Sequence, residues 1–368
     1  MTAQPTAPRI LPAGIDTPEV VVDRARLETN VLGLQRDLDR RGIRLRPHAK
    51  THKSVRIGRL QLEAGAAGLT VGTLGEAEVF ALGGIRDLFI AYPIWAVGPK
   101  AERLRALLAT SDLAVGVDSV AGAERLAAAV RGASRRLRVL VEVDPGNHRT
   151  GVPTPDAAVE VAGAARAGGL HVEGVFAHAG QSYRPGGVGS AALHEVTSLE
   201  TAAAALESAG FEVATISAGS TPTRLLSATG RINEIRAGTY VFGDRQQAEL
   251  GVMPVGEVAA VVAATVVSSA ADRIVLDAGA KALTKDRPDW LEGYGRIETH
   301  PNAVIERLSD YHGVVRVPPM SARLSVGDIV AVVPNHICPV IDLVSTFTVV
   351  GPDGSSERWP VDARGRSG

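Results

Sequence analysis

LRVLVEVD at residues 137–144, PDAAVEVAGAARA at 155–167 and HVEGVFAH at 171–178 together decide the fold. The first and third stretches are β-branched, apolar runs of strand length. The middle one is Ala-rich and helix-forming. Strand, helix and strand in this order make a βαβ unit, whose two strands run parallel. The same alternation recurs on both sides, with predicted strands at 43–48, 68–73, 87–91, 112–118, 213–218 and 234–242. Helical segments at 100–109 and 119–130 separate some of them, while 221–229 has room for only a short helix. Eight strands alternating with helices are what an α/β fold of the (β/α)8 TIM-like barrel type requires. An open doubly wound sheet has the same period and stays as the alternative, although the count of eight favours the barrel.

Residues 1–14 are Pro-rich and read as a flexible N-terminus. Val20, Val21 and Val22 read as a strand, and Leu27, Val31, Leu34 and Leu38 follow at helical spacing. Beyond about residue 250 the pattern changes to Val/Ile-rich runs at 255–267, 274–276, 313–317, 329–333 and 340–350, punctuated by turns such as Gly327-Asp328. The predicted organisation is therefore a barrel over 15–250 followed by a mostly β domain over 251–368. The strand near 15–24 is free to join either.

A formal net charge of −1, from 39 basic and 40 acidic residues, lacks the basic excess of a nucleic-acid binder. The most apolar stretch, 255–270, is interrupted by Glu257 and too short to span a bilayer. The single cysteine, Cys338, excludes an intrachain disulfide, and a reducing, cytoplasmic location is the default expectation.

Chemistry in a parallel barrel belongs at the carboxyl ends of the strands. The first strand ends in RPHAKTHK (46–53), which puts Lys50 among cationic neighbours. Such neighbours lower an amine pKa and attract an anion, although a solvated basic loop has the same composition. The fifth ends in EVDPGNHRTGV (142–152), where an acid and Arg149 either bind a ligand or pair with each other. The sixth leads into His178, Gln181 and Tyr183. The seventh and eighth lead into Gly219, Ser220 and Thr221 and into Gly238, Thr239 and Tyr240. Glycines and hydroxyl residues after the last two strands are the usual phosphate cradle of such barrels. In the C-terminal part, His336-x-Cys338 offers an imidazole and a thiolate. That pair suits zinc, but leaves a structural site incomplete.

RPHAKTHK, EVDPGNHRTGV, AHAGQSY, AGSTPT, RAGTYVFGD, LDAGAKALTKD and VVPNHICP occur in one order across residues 16–350, and the chain in this respect resembles the D-serine dehydratase and D-threonine aldolase family. The resemblance implies an alanine-racemase-type fold, pyridoxal 5'-phosphate (PLP) as cofactor, and Lys50 as its Schiff-base lysine. It implies that Arg149 faces the ring nitrogen and that Gly219, Ser220, Thr221, Gly238 and Thr239 hold the phosphate, with Tyr240 close by. His178, Gln181 and Tyr183 would line the pocket. His336 and Cys338 would bind a divalent metal, zinc by preference and manganese as the alternative. A homodimer and a small D-amino acid substrate complete the expectation. Aldolase members usually carry His-x-Asp at the metal position and dehydratase members His-x-Cys, so the expected reaction is dehydration, with retro-aldol cleavage the runner-up. A racemase would need a second base from the β domain, where Tyr294 and Tyr311 are the tyrosines on offer. A non-catalytic PLP carrier would resemble the barrel alone.

Overall fold

The computed structural model describes residues 11–318 and 324–368. The expected flexible N-terminus falls largely on residues 1–10, outside the described residues. Nine strands precede residue 240: β1 Glu19–Asp23, β2 Arg44–Leu45, β3 Leu69–Val71, β4 Asp87–Pro93, β5 Asp112–Val117, β6 Arg138–Glu142, β7 His171–Phe176, β8 Thr215–Ala218 and β9 Glu234–Ile235. Eight follow: β10 Ala260–Ser269, β11 Arg273–Leu276, β12 Arg296–Ile297, β13 Val304–Leu308, β14 Gly313–Arg316, β15 Ile329–Val333, β16 Thr346–Val350 and β17 Ser356–Pro360. The helices are α1 Arg24–Asp39, α2 Val55–Glu63, α3 Leu74–Leu82, α4 Pro99–Thr110, α5 Val120–Ala129, α6 Pro155–Ala167, α7 Val188–Ser208, α8 Arg245–Glu249, α9 Ala280–Leu283 and α10 Ile337–Leu343.

Two compact units result: residues 32–50, 55–238 and 365–368 form one, and residues 1–31, 51–54 and 239–364 the other. The first holds a parallel sheet in the order β2-β9-β8-β7-β6-β5-β4-β3. Its end strands meet through a parallel bridge between His48 and Thr70, with the Thr70 N–H donating to the Pro47 carbonyl at 2.9 Å, so the sheet closes into the expected barrel. Helix starts are set locally. Thr73, Ser119 and Thr154 each accept a backbone N–H at the N-cap of α3, α5 and α6, which is worth about 1 kcal/mol apiece.

Two layers fill the barrel. Phe89 and Phe176 meet edge to face, 5.0 Å between centroids, packed with Ala114 and Leu140. Gly116 makes room for them, because a Cβ there would stand 2.6 Å from the Phe176 ring. Beneath lies a charged layer. Arg46 bonds Glu234 at 2.9 Å and Asp87 at 2.7 Å, and Arg138 bonds Glu173 at 2.7 Å. Each buried charge therefore has a partner, as burial demands.

The second unit is a nine-stranded sheet in the order β13-β14-β11-β10-β1-β16-β17, with β15 pairing β10 and β12. β1 lies in this sheet, antiparallel to β10 and parallel to β16. Its core joins Val21, Val258, Val261, Val333 and Val350, and Leu11 and Ile15 pack against it.

Four expectations need correction. The eighth barrel strand was expected over 234–242 but stops at Ile235, and Thr239–Val241 is a 3-10 turn. Residues 221–229 form turns and no helix, because the Thr223 and Ser227 hydroxyls both donate to Glu195. The run 340–350 is not one strand: α10 occupies Ile337–Leu343, with Pro339 in its first turn, where a missing N–H costs nothing. Similarly, Val255–Glu257 is a 3-10 turn ahead of β10.

Candidate active site

The carboxyl end of the barrel holds a cavity of about 280 Å³. His48, Lys50, Arg149, Thr150, His178 and Gly219 line it together with Glu142, Phe176 and Arg236. Lys50 sits in the 3-10 turn Ala49–Thr51, its side chain exposed at the rim. The turn is anchored from below by the His48 N–H, which donates to the Ala237 carbonyl at 3.0 Å. Four of the sequence-predicted residues thus share one cavity: Lys50, Arg149, His178 and Gly219. The Gln181 amide nitrogen donates to the Pro145 carbonyl at 2.8 Å while its buried Oε1 meets no donor, and the Tyr183 ring lies 6.4 Å from that of His178. Ser220 and Thr221 are buried in the turn after β8, and Thr239 and Tyr240 are buried at the start of the other unit.

Two cavity groups did not stand out in the sequence. Glu142 is buried; its Oε1 accepts the Thr150 hydroxyl at 2.8 Å, while Oε2 meets no donor. Burial raises its pKa, against the pull of Thr150 and Arg149. Arg236 is buried over the Phe89 and Phe176 rings, at 5.8 and 5.2 Å, and donates to the Ser217 hydroxyl at 2.6 Å and to the Ala177 carbonyl. Its sequence signal was an arginine in a strand end otherwise built for burial.

His178 is neutral. Burial first, then the charges of Lys50, Arg149 and Arg236, hold its pKa well below the usual 6.5. The unfolded chain therefore binds a proton near pH 6.5 that the folded chain refuses until lower pH, so this residue makes stability fall as pH drops through that window. Denaturation midpoints at pH 7.5 and 5.5 should differ less for His178→Gln than for wild type. An identical pH dependence in both would disprove the assignment.

These residues fit a phosphorylated ring cofactor. The cavity offers a rim lysine, two arginines and an orphaned buried carboxylate oxygen. Gly219 has φ +97, and a Cβ there would stand 3.0 Å from Ile235 Cγ2, so the turn is shaped for close approach. Among the described residues the backbone N–H groups of Gly238 and Thr239 donate to no protein acceptor.

In the second unit, His336 Nδ1 lies 2.6 Å from Asp286 Oδ2, so Nε2 is the nitrogen that could ligate a metal. Cys338 Sγ lies 3.3 Å from the hydroxyl of Thr51, the residue after Lys50, and 3.8 Å from that of Thr239. Burial lowers the His336 pKa, but Cys338, Asp286 and Asp244 outweigh it and push it up to about 11. The cluster therefore favours positive charge. Among the described residues no three His, Cys, Asp or Glu side chains converge into a ready metal cage, so the donor set fits an open site with two protein ligands. The non-glycine residues with positive φ, Lys53, His148 and Thr284, lie within three residues of Lys50, Arg149 and Asp286. Backbone strain of this kind gathers at functional sites.

A closed parallel barrel with ionisable groups converging at its carboxyl end, joined in one chain to a β unit, defines the class as a barrel enzyme architecture with an appended β domain. Residues 22–246 match the alanine racemase N-terminal domain and residues 259–350 the serine dehydratase domain. D-threo-3-hydroxyaspartate dehydratase of Delftia sp. (strain HT23) is 34% identical, covering 94% of this chain and 97% of its own. D-threonine aldolase of Arthrobacter sp. is 33% identical over 99% and 96%. The crystal structure of D-threonine aldolase from Filomicrobium marinum has a TM-score of 0.87 at 31% identity, covering 98% of this chain and 99% of that one. The chain belongs to the D-serine dehydratase and D-threonine aldolase family of alanine-racemase-fold proteins.

Proposed function

We propose that this chain is a PLP- and divalent-metal-dependent lyase of small D-3-hydroxy amino acids, and that it eliminates water to give a 2-oxo acid and ammonia. The observation that carries the reading is Lys50 on the rim of a cavity shared with Arg149, Arg236, His178 and the buried Glu142. Lys50 would hold the cofactor and, once displaced by the substrate amine, move the α-proton. The cofactor when bound supplies an electron sink for the pair left at the α-carbon. Gly219, Ser220, Thr221, Gly238, Thr239 and Tyr240 would surround its phosphate. His178, Gln181 and Tyr183 would shape the pocket. His336 and Cys338 would hold the metal, which supplies Lewis acidity. Mutants of D-threo-3-hydroxyaspartate dehydratase altered at a histidine and at a cysteine two positions on have been solved, the latter in a metal-free form, and their spacing matches His336-x-Cys338. The proposal includes zinc as the metal, a homodimer and a cytoplasmic location. No helix among the described residues is long and apolar enough to cross a membrane.

Borohydride reduction of the purified holoprotein should leave a pyridoxyl label on the peptide containing Lys50. A label on Lys53, Lys281 or Lys285 would defeat the assignment.

A guanidinium is always charged and only donates, so an arginine facing the ring nitrogen keeps that atom unprotonated and weakens the sink. Arg149 is the proposed partner, and Arg236 is the second guanidinium in reach of the cavity. Arg149→Glu should shift the visible absorbance of the holoprotein. If Arg236→Met shifts it and Arg149→Glu does not, the role passes to Arg236.

A further inference from the structure

α7 presents Glu195 in its buried row, between Ala191 and Leu199, and the side chain is wholly shut from solvent. Its Oε1 accepts two backbone N–H groups, from Ala179 at 3.2 Å and Gly219 at 3.0 Å. Its Oε2 accepts two hydroxyls, from Thr223 at 3.2 Å and Ser227 at 2.6 Å. Ala179 follows β7 and Gly219 follows β8, so one carboxylate ties together the turns after two neighbouring strands. Thr223 relays the hold, because its hydroxyl oxygen also accepts the Ser220 N–H at 3.1 Å. Ser220 Oγ lies 3.1 Å from Thr223 Oγ1 and 3.0 Å from Ser182 Oγ.

This network changes how the turn after β8 can meet an anion. The N–H groups of Gly219 and Ser220, the obvious phosphate donors, are both already given away inside the protein. Gly219 therefore contributes closeness of approach and not a hydrogen bond. Burial pushes the Glu195 pKa up, while the donors that point at it and the nearby Arg236 pull it down, which limits how strongly the carboxyl group repels an incoming anion.

We propose that Glu195 is the positioning residue of the phosphate cradle. It holds the turn from Gly219 to Thr223 open for an anion and diverts the anion to donors outside that turn, of which the Gly238 N–H is one. The inference rests on the reading of the chain as a PLP enzyme.

The test compares binding of PLP with binding of pyridoxal, which lacks the phosphate, to wild type, Glu195→Ala, Glu195→Gln and Thr223→Ala. Glu195→Ala should weaken PLP by about tenfold or more and leave pyridoxal within about twofold. Glu195→Gln should stay near wild type, since its amide oxygen still accepts both N–H groups and its NH2 can donate to the Ser227 oxygen. The phosphorus NMR shift of bound PLP should move in Glu195→Ala and not in Glu195→Gln. Should Glu195→Ala fail to fold, Thr223→Ala, which strips the Ser220 N–H of its acceptor, should show the same PLP-selective loss at smaller size. Equal weakening of both ligands, or no weakening of PLP, in a folded variant overturns the proposal. Wild type that binds neither ligand would defeat the underlying reading instead.

Discussion

Lys50→Ala should lower kcat by more than about 10³-fold on the D-3-hydroxy amino acid that wild type turns over, with the circular dichroism spectrum unchanged. The fold should survive because the Lys50 side chain stands exposed at the cavity rim and no core layer depends on it. The chemistry should not, because on the proposed mechanism one nitrogen both holds the cofactor and moves the α-proton. A positioned base alone contributes roughly 10²–10⁴-fold. The nearest alternative amine in sequence, Lys53, is no substitute. Its Nζ is 2.7 Å from Asp342, its side chain is 8% exposed, and its backbone is held at φ 50. A Lys50→Ala enzyme that keeps a tenth of its activity would remove Lys50 from the mechanism.

The architecture was legible because burial leaves a periodic trace. β4 to β8 are apolar runs separated by helices, two of which, α5 and α6, start at a side-chain cap, and the period places the strands within a few residues. The trace misleads where apolar sequence does not mean extended backbone. Thr239-Tyr240-Val241 is as buried as a strand but turns in a 3-10 helix. The run from Val340 is apolar because one face of α10 is buried, and period alone does not separate so short a helix from a strand.

The site was legible only where its residues sit in local motifs. Lys50 and Arg149 follow strand ends, so topology alone brings them to one cavity. Glu142 is the last residue of β6 and Arg236 the first after β9, at positions that the strand pattern assigns to burial, and Glu195 hydrogen-bonds from the middle of a helix to turns remote in sequence. One sign was available for Glu195: a charged residue in line with Ala191, Ala192, Leu199 and Ala202 stands on the apolar stripe of α7, where an acid is rarely tolerated without partners. Asp286 carried no such sign. Its value comes from contact with His336, 50 residues away in sequence.

Removal of divalent metal by chelation should lower turnover by more than about 10²-fold while cofactor absorbance and the folded signal persist. On the proposed reading His336 and Cys338 would be two ligands, too few for a site that staples a fold, and the second unit has its own valine-rich core. Metal dependence alone does not choose between the two lyase reactions. Elimination requires the β-hydroxyl to depart as a poor leaving group. Retro-aldol cleavage requires the same hydroxyl to lose its proton as the Cα–Cβ bond breaks. A Lewis acid assists either. The ligand softness makes the choice: a thiolate favours zinc, whereas a carboxylate at the same position suits harder ions such as manganese. Cys338 is therefore the ground for proposing dehydration. D-serine should give pyruvate and ammonia, and D-threonine should give 2-oxobutyrate and ammonia, in reactions restored by zinc after chelation. Cys338→Asp should shift the metal preference toward manganese. Glycine and acetaldehyde from D-threonine, with no 2-oxo acid from either substrate, would reverse the choice. In that case the thiolate would be a marker of metal identity and not of which bond breaks.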